Sequence, residues 1–237
     1  MIYAGITHAP FDAHRRAWLS QLVPCLKPWP VIVQPDPGRT GSFANHLRTL
    51  LRLNMTPATH VCCLDDDVKP VPGFVEAVER MVRLLPERMI CLYAPQPNAR
   101  RLVAEGKRWT ISAGNVYGAA FVMPRTWIVP WLAWIDQYVA ADFWSFDIRL
   151  KFWLRTMQQP IWTPLPGLVT HLGSQHSLLG HKPGFELPEA DVSDFDARGV
   201  DWSDGHIHPV KSGSEVNWMY WWKRARKDPE APPPWRR

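Results

Sequence analysis

The chain lacks most of the signatures that would assign it quickly. Its four cysteines, Cys25, Cys62, Cys63 and Cys91, show no CxxC spacing, so neither a zinc ribbon nor a disulfide scaffold is expected. Cys62 and Cys63 fall inside an apolar run, an ordinary place for buried free thiols, and a reducing cytoplasm suits them. The longest apolar region, Ile128–Phe146, is broken by Pro130 and Asp136. It falls short of the ~20 apolar residues a membrane span requires, so no transmembrane segment is expected. The opening MIYAGITHAP has no charged stretch before an apolar one, so no secretory signal is expected. No internal repeat occurs, and the 14 glycines and 24 prolines follow no period. Broadly distributed positive charge is missing too. Residues 222–237 hold six Lys/Arg against two acids, and account for four of the five net charges, so no broad nucleic-acid-binding face is implied.

What is present is a globular composition, 46% hydrophobic and 21% charged over 237 residues. That length suits one α/β domain with a full core. Fourteen tryptophans are the compositional oddity. Trp is placed where it packs or stacks, so core, clefts and interfaces should be aromatic, with packing the commoner role. The segment 186–204 is acidic, with seven Asp/Glu against Arg198.

The first half alternates strand and helix patterns. Strands are expected at Ile2–Thr7, Val31–Gln34, His60–Leu64 and Met89–Tyr93. Helices are expected over Asp12–Val23, after Ser42 as a cap, and after Pro72. This order argues for a mostly parallel sheet flanked by helices. In the second half, Ala94–Arg108 reads as a basic loop, Trp109–Ser112, Tyr117–Met123 and Leu168–Thr170 as strands, and Arg125–Tyr138 and Phe146–Met157 as helices. Beyond residue 178 a loop-rich C-terminal extension is expected over 179–224, then a flexible basic, Pro-rich tail over 225–237.

The strongest chemical signal is Asp65-Asp66-Asp67 directly after a buried strand. Ligands of parallel sheets collect beyond the carboxyl ends of strands. Three adjacent carboxylates repel one another, and a bound cation such as Mg²⁺ or Mn²⁺ relieves this; a solvated acidic turn is the alternative. In an extended backbone, Asp65 and Asp67 would face one side and Asp66 the other. His171 ends a later strand and is either a metal ligand favouring Mn²⁺ or a hydrogen-bonded strand-end histidine. Asp142 and Asp147 precede or open a helix, where a carboxylate suits the dipole; either could be a general base in an aromatic pocket.

These features resemble the GT-A nucleotide-sugar glycosyltransferases, especially glycosyltransferase family 2 and its small bacterial and phage relatives. The matching pieces are a first strand ending in Thr7, the segment GSFANHLRTLLRL, the strand-borne THVCCLDDDVKPVPGF with its DxD, and DFWSFDIRLKFWLRTMQQPIWTPLPGLVTHLGSQHS. They span about residues 1–178. The resemblance implies a GT-A (Rossmann-like) catalytic domain that moves a sugar from a nucleotide-sugar donor, a UDP-sugar foremost, to a hydroxyl, with inversion. It implies that Asp67 and His171 hold Mn²⁺ (or Mg²⁺), and that Asp65, with Asp66 beside it, contacts the donor. Thr7 and Asp36 would border the nucleoside, and Asp147, or Asp142 in second place, would be the base. Trp109, Gly118, Trp144 and Trp153 would help build the sugar and acceptor pocket. The family's acidic pair is adjacent, whereas Asp142 and Asp147 stand five apart.

Two readings from other classes remain. One is a metal-dependent phosphohydrolase using Asp65, Asp67 and His171. The other is a non-catalytic, Trp-rich module that binds nucleic acid or glycan. The acceptor is open among a glycan, a protein side chain and a hydroxylated base in phage-type DNA. The basic residues Arg100, Arg101, Lys107, Arg108, Lys223, Arg224, Arg226 and Lys227 suit a polyanion, an anionic membrane surface or plain solvation. Trp218, Trp221 and Trp222 fit either a membrane-interface anchor or a final packed helix. A cytoplasmic location is expected, peripheral to a membrane in one case and in the host cytoplasm if the protein is viral.

Overall fold

A computed structural model describes residues 1–36, 38, 40–94, 99–113, 117–143, 145–172, 192–203, 206–210 and 215–236. The strands are β1 (Ile2–His8), β2 (Val31–Pro35), β3 (His60–Asp65), β4 (Val68–Pro70), β5 (Met89–Cys91), β6 (Trp109–Ser112), β7 (Ala120–Pro124), β8 (Ile161–Pro164), β9 (Val169–His171) and β10 (Ile207–Pro209). The helices are α1 (Ala13–Cys25), α2 (Ser42–Asn54), α3 (Phe74–Leu84), α4 (Ala99–Ala104), α5 (Ile128–Tyr138), α6 (Phe146–Thr156) and α7 (Glu215–Ala225). Trp144 and the whole segment 173–191 lie outside the described residues.

Eight strands form one sheet in the order β10-β6-β8-β5-β7-β3-β1-β2, and β4 pairs with β9 in a separate ribbon. The sheet is mixed. Strands β1, β2, β3, β5 and β8 run one way, while β7, β6 and β10 run the other. The expected parallel core therefore holds, with the reversed β7 inserted between β3 and β5.

Helices cover both faces, and strand periodicity decides which side chain enters which layer. Along β3, Cys62 and Leu64 join a core with Leu22 of α1 and Phe74, Val78 and Met81 of α3. Val61 and Cys63 point the other way, into a core with Leu50 and Leu53 of α2, Trp131 of α5, and Leu150 and Phe152 of α6. Among the described residues no helix is long and apolar enough to cross a membrane.

Several local expectations shift. Ser42 is the first helical residue of α2 rather than its cap, and the cap position is Gly41 at φ 94°. Pro130 is tolerated because α5 begins only at Ile128, after a 3-10 turn, so the proline falls in the first turn, where its missing N–H breaks no helical bond. The basic loop contains α4, and the Pro-rich stretch after residue 160 contains β8.

The C-terminal extension is less loop-like than expected. Its 192–203 segment lies along α3, where Ala197 donates its N–H to the Pro72 carbonyl, and β10 extends the sheet beside β6. In α7, Trp218 and Trp222 are buried against Phe152 of α6, which seats both rings in the core rather than at a membrane face. The tail beyond 225, expected to be flexible, turns back. Trp235 stacks on Phe152 at 5.2 Å between ring centroids, and the Lys227 N–H meets the Tyr138 carbonyl.

One glycine controls how closely α2 approaches the sheet. A Cβ on Gly5 would lie 2.6 Å from both Thr49 Cγ2 and Leu53 Cδ1. Gly5→Ala should therefore push α2 outward and cost about 1–3 kcal/mol, the usual range for overpacking. Urea unfolding checks this, and an unchanged midpoint would show that the helix–sheet contact yields freely.

Candidate functional site

The carboxyl ends of β1 and β3 carry the polar cluster. Thr7 pairs with Asp65 in the β1–β3 register, and its hydroxyl donates to Asp65 Oδ1 at 2.5 Å. Asp65 lies on the α2 side of the sheet, where His46 Nε2 stands 3.2 Å from the same oxygen. His46 occupies the buried face of α2, one turn before Thr49 and Leu50, and its Nδ1 bonds the Ser42 carbonyl at 2.8 Å. Burial alone would lower the His46 imidazole's proton affinity, but the Asp65 carboxylate overrides this and holds its pKa above the ordinary value. Burial would conversely raise Asp65, and His46 and Thr7 outweigh it, so this pKa is lowered.

Asp66 faces the opposite layer. Its Oδ2 contacts His8 Nδ1 at 2.7 Å and accepts the Ala9 N–H at 2.8 Å, while Oδ1 accepts from Arg15 Nη1 at 2.6 Å. Both oxygens are occupied and the residue is buried, so the expected donor contact gives way to an internal anchor. Burial raises the pKa of this carboxyl despite the opposing pull of Arg15. Arg15 is itself held more firmly protonated: burial works against its charge, but Asp67 and Asp66 outweigh it.

Asp67 does not share a side with Asp65, as strict alternation would place it. The strand ends at Asp65 and the chain turns, which swings Asp67 to Arg15. Its side chain is 1% exposed, and Oδ2 lies 2.7 Å from Arg15 Nη2 and 2.9 Å from His171 Nε2. Neither contact is aligned as a directed hydrogen bond, and Oδ1 has no partner. The β4–β9 ribbon makes this meeting, pairing Val68 with His171, while Leu172 donates its N–H to the Asp67 carbonyl.

Arg15 and His46 escaped the sequence reading. A single polar residue on the inner face of a helix carries no local sign of its partner, although Arg15 was the one cation available to α1's buried side.

The α6 end closes the other side of the site. Phe146 stacks on His46 at 4.3 Å between centroids, and a Cβ on Gly118 would lie 3.7 Å from Phe146 Cδ1 and 3.9 Å from His46 Nε2. Gly118 thus belongs to the neighbourhood. Ser145 caps α6, accepting from the Ile148 N–H and donating to Asp147 Oδ1 at 2.5 Å; Lys151 Nζ is 3.4 Å from Asp147 Oδ2. Lys151 also sits over the Tyr117 ring, and Tyr117 leads through Tyr93 to His171 by ring contacts. Asp147 is half-buried beside this chain of contacts, whereas Asp142 is exposed. Arg149 secures the chain on either side of Asp142 by donating to the carbonyls of Ala140, Ala141 and Phe143, and burial pushes its pKa down to about 10.

Three expected site residues have structural duties instead. Asp36 Oδ1 accepts from the Gly38 and Thr40 N–H groups and the Thr40 hydroxyl, which organises the loop before α2. Burial opposes its ionisation, but these bonds prevail and lower its pKa. Trp109, expected in the sugar pocket, is buried on β6 with Nε1 donating to the Trp202 carbonyl and its ring edge-on to Trp162 and Trp202. Trp153 is buried against Trp127. A tryptophan held on every side by core contacts has no face left for a sugar.

Among the described residues, no three His, Cys, Asp or Glu side chains converge to cage a metal. Among the described residues, a fully protein-held ion does not fit. An ion shared with a phosphate ligand does: the Asp67 oxygens are buried without directed hydrogen bonds, and His171 stands beside them. Mg²⁺-type ions commonly take one or two protein donors and complete their shell with phosphates and water. Comparison with known proteins finds no family model that matches the chain and no curated protein similar to it in sequence.

The His46–Asp65 pair sets a pH signature. His46 binds its proton more tightly when folded, so its contribution is complete below about pH 6.5 and is lost as pH rises through its raised folded-state value. Asp65 contributes above about pH 4, and this is lost as pH falls through its lowered value. His46→Gln should thus cost about 1.5–3 kcal/mol near pH 6 and clearly less at pH 9. Urea titrations at both pH values test this; an equal penalty would contradict a charged pair.

Proposed function

We propose that the protein is a GT-A-type glycosyltransferase that moves a sugar from a nucleotide-sugar donor, a UDP-sugar foremost, to an acceptor hydroxyl. The observation that carries this reading is the buried Asp67 carboxylate at the sheet's ligand-binding edge, lacking directed hydrogen bonds and set 2.9 Å from His171. Asp67 and His171 would hold a Mn²⁺ or Mg²⁺ ion, which when bound neutralises the charge that develops on the departing diphosphate.

The chain's own residues supply the rest. Asp65 is 24% exposed and fixed by Thr7 and His46, so its outward edge is presented to the donor's ribose in one orientation. Asp147 takes the acceptor hydroxyl's proton as the acceptor oxygen bonds to the anomeric carbon. The bond to the diphosphate breaks on the opposite face, and the electron pair leaves with the nucleoside diphosphate. Ser145 and Lys151 orient Asp147 for this step. Phe146, stacked on His46, ties the base's helix to the donor side.

The test is turnover of a panel of nucleotide sugars with Mn²⁺, followed as release of the nucleoside diphosphate. Asp67→Ala should abolish turnover. Asp147→Asn should lower kcat about 10²–10⁴-fold, the range for a lost general base, with the donor KM little changed. Asp142→Asn should stay near wild type. Full activity in Asp67→Ala would overturn the assignment.

A further inference from the structure

We infer that Arg15 is a positioning residue that pre-sets Asp67 for its cation, an assignment that rests on the proposed function. Arg15 bridges two carboxylates of the aspartate triplet, with Nη1 on Asp66 Oδ1 and Nη2 beside Asp67 Oδ2. Asp66 is immobile, because His8 and Ala9 occupy its other oxygen. The planar guanidinium therefore transmits the fixed position of Asp66 to Asp67 through a rigid fork. Nε of Arg15 is buried with no partner, so the guanidinium's polar contacts are a hydrogen bond to Asp66 and an ion pair with Asp67.

Two consequences follow for the site. The Asp67 carboxylate is held at one edge while Oδ1 stays unpartnered and ready as a donor. The guanidinium also stands against two of the three closely spaced carboxylates, and the His46 ring stands against the third. A lysine would carry the same charge but cannot bridge both carboxylates.

The experiment is a Mn²⁺ titration followed by electron paramagnetic resonance, in the presence of UDP, on the full chain. Folding of each variant is checked by thermal melting. Arg15→Lys should weaken Mn²⁺ binding about 10–100-fold, the usual effect of removing a residue that orients a metal ligand. The Mn²⁺ concentration for half-maximal turnover should rise by a similar factor, while kcat at saturating Mn²⁺ stays within a few-fold. A purely structural role would instead lower kcat at unchanged Mn²⁺ affinity. Asp66→Asn, which loosens the anchor and keeps Arg15, should shift Mn²⁺ affinity in the same direction, and it carries the test should Arg15→Lys not fold. Arg16→Lys, on the exposed side of α1, should bind like wild type. Wild-type Mn²⁺ affinity in a folded Arg15→Lys or Asp66→Asn protein would overturn the role of Arg15. No Mn²⁺ binding by the wild type would instead overturn the proposed function, and this inference with it.

Discussion

Three consecutive carboxylates at the end of a buried strand are the constraint around which the molecule is organised. Two such charges 4 Å apart repel by about 4 kcal/mol at the effective dielectric of a protein near its surface. The fold answers with one basic side chain from each helical layer. Arg15 of α1 meets Asp66 and Asp67 on one face, and His46 of α2 meets Asp65 on the other. The pleat dictates this division for the first two aspartates, and the turn after Asp65 hands the third to Arg15.

The remaining packing serves that arrangement. Gly5 lets α2 come close enough for His46 to reach Asp65, because Thr49 and Leu53 on the same helix face touch the strand there. Phe146 stacks on His46 and brings the capped start of α6 to the site, with Asp147 next in sequence. The far end of α6 is clamped by the aromatic cluster of Phe152, Trp218, Trp222 and Trp235. Most tryptophans thus hold the scaffold rigid, and rigidity in the supporting elements is what a precise polar site requires.

The alternating β-α half of the fold was legible because apolar residues recur at helical spacing, as in Phe43, Leu47, Leu50 and Leu51 of α2, although Leu51 is exposed and the buried face adds Asn45, His46 and Thr49. The aspartate triplet, Thr7 and His171 were also legible, since each ends a strand that composition alone marks. Short elements rich in proline or charge, such as β8 and α4, were not, because local composition outweighs four to six residues of pattern. Arg15 and His46 were hidden for a different reason: their partners lie 51 and 19 residues away in sequence, and only the fold joins them. Trp109 misled because composition says that aromatics gather but not on which side of which strand. Asp67 misled because alternation was extended one residue past the strand's end.

The account's central claim is that the Asp67 carboxylate is built to share a divalent cation with a diphosphate ligand. The most direct measurement is the melting temperature of the wild-type chain with a nucleotide sugar, with Mn²⁺, and with both. A ligand that binds only the native state raises the melting point by mass action. The account predicts a shift with both together that exceeds the sum of the separate shifts, and that vanishes in Asp67→Ala. Additive shifts, or a joint shift that survives Asp67→Ala, would contradict it.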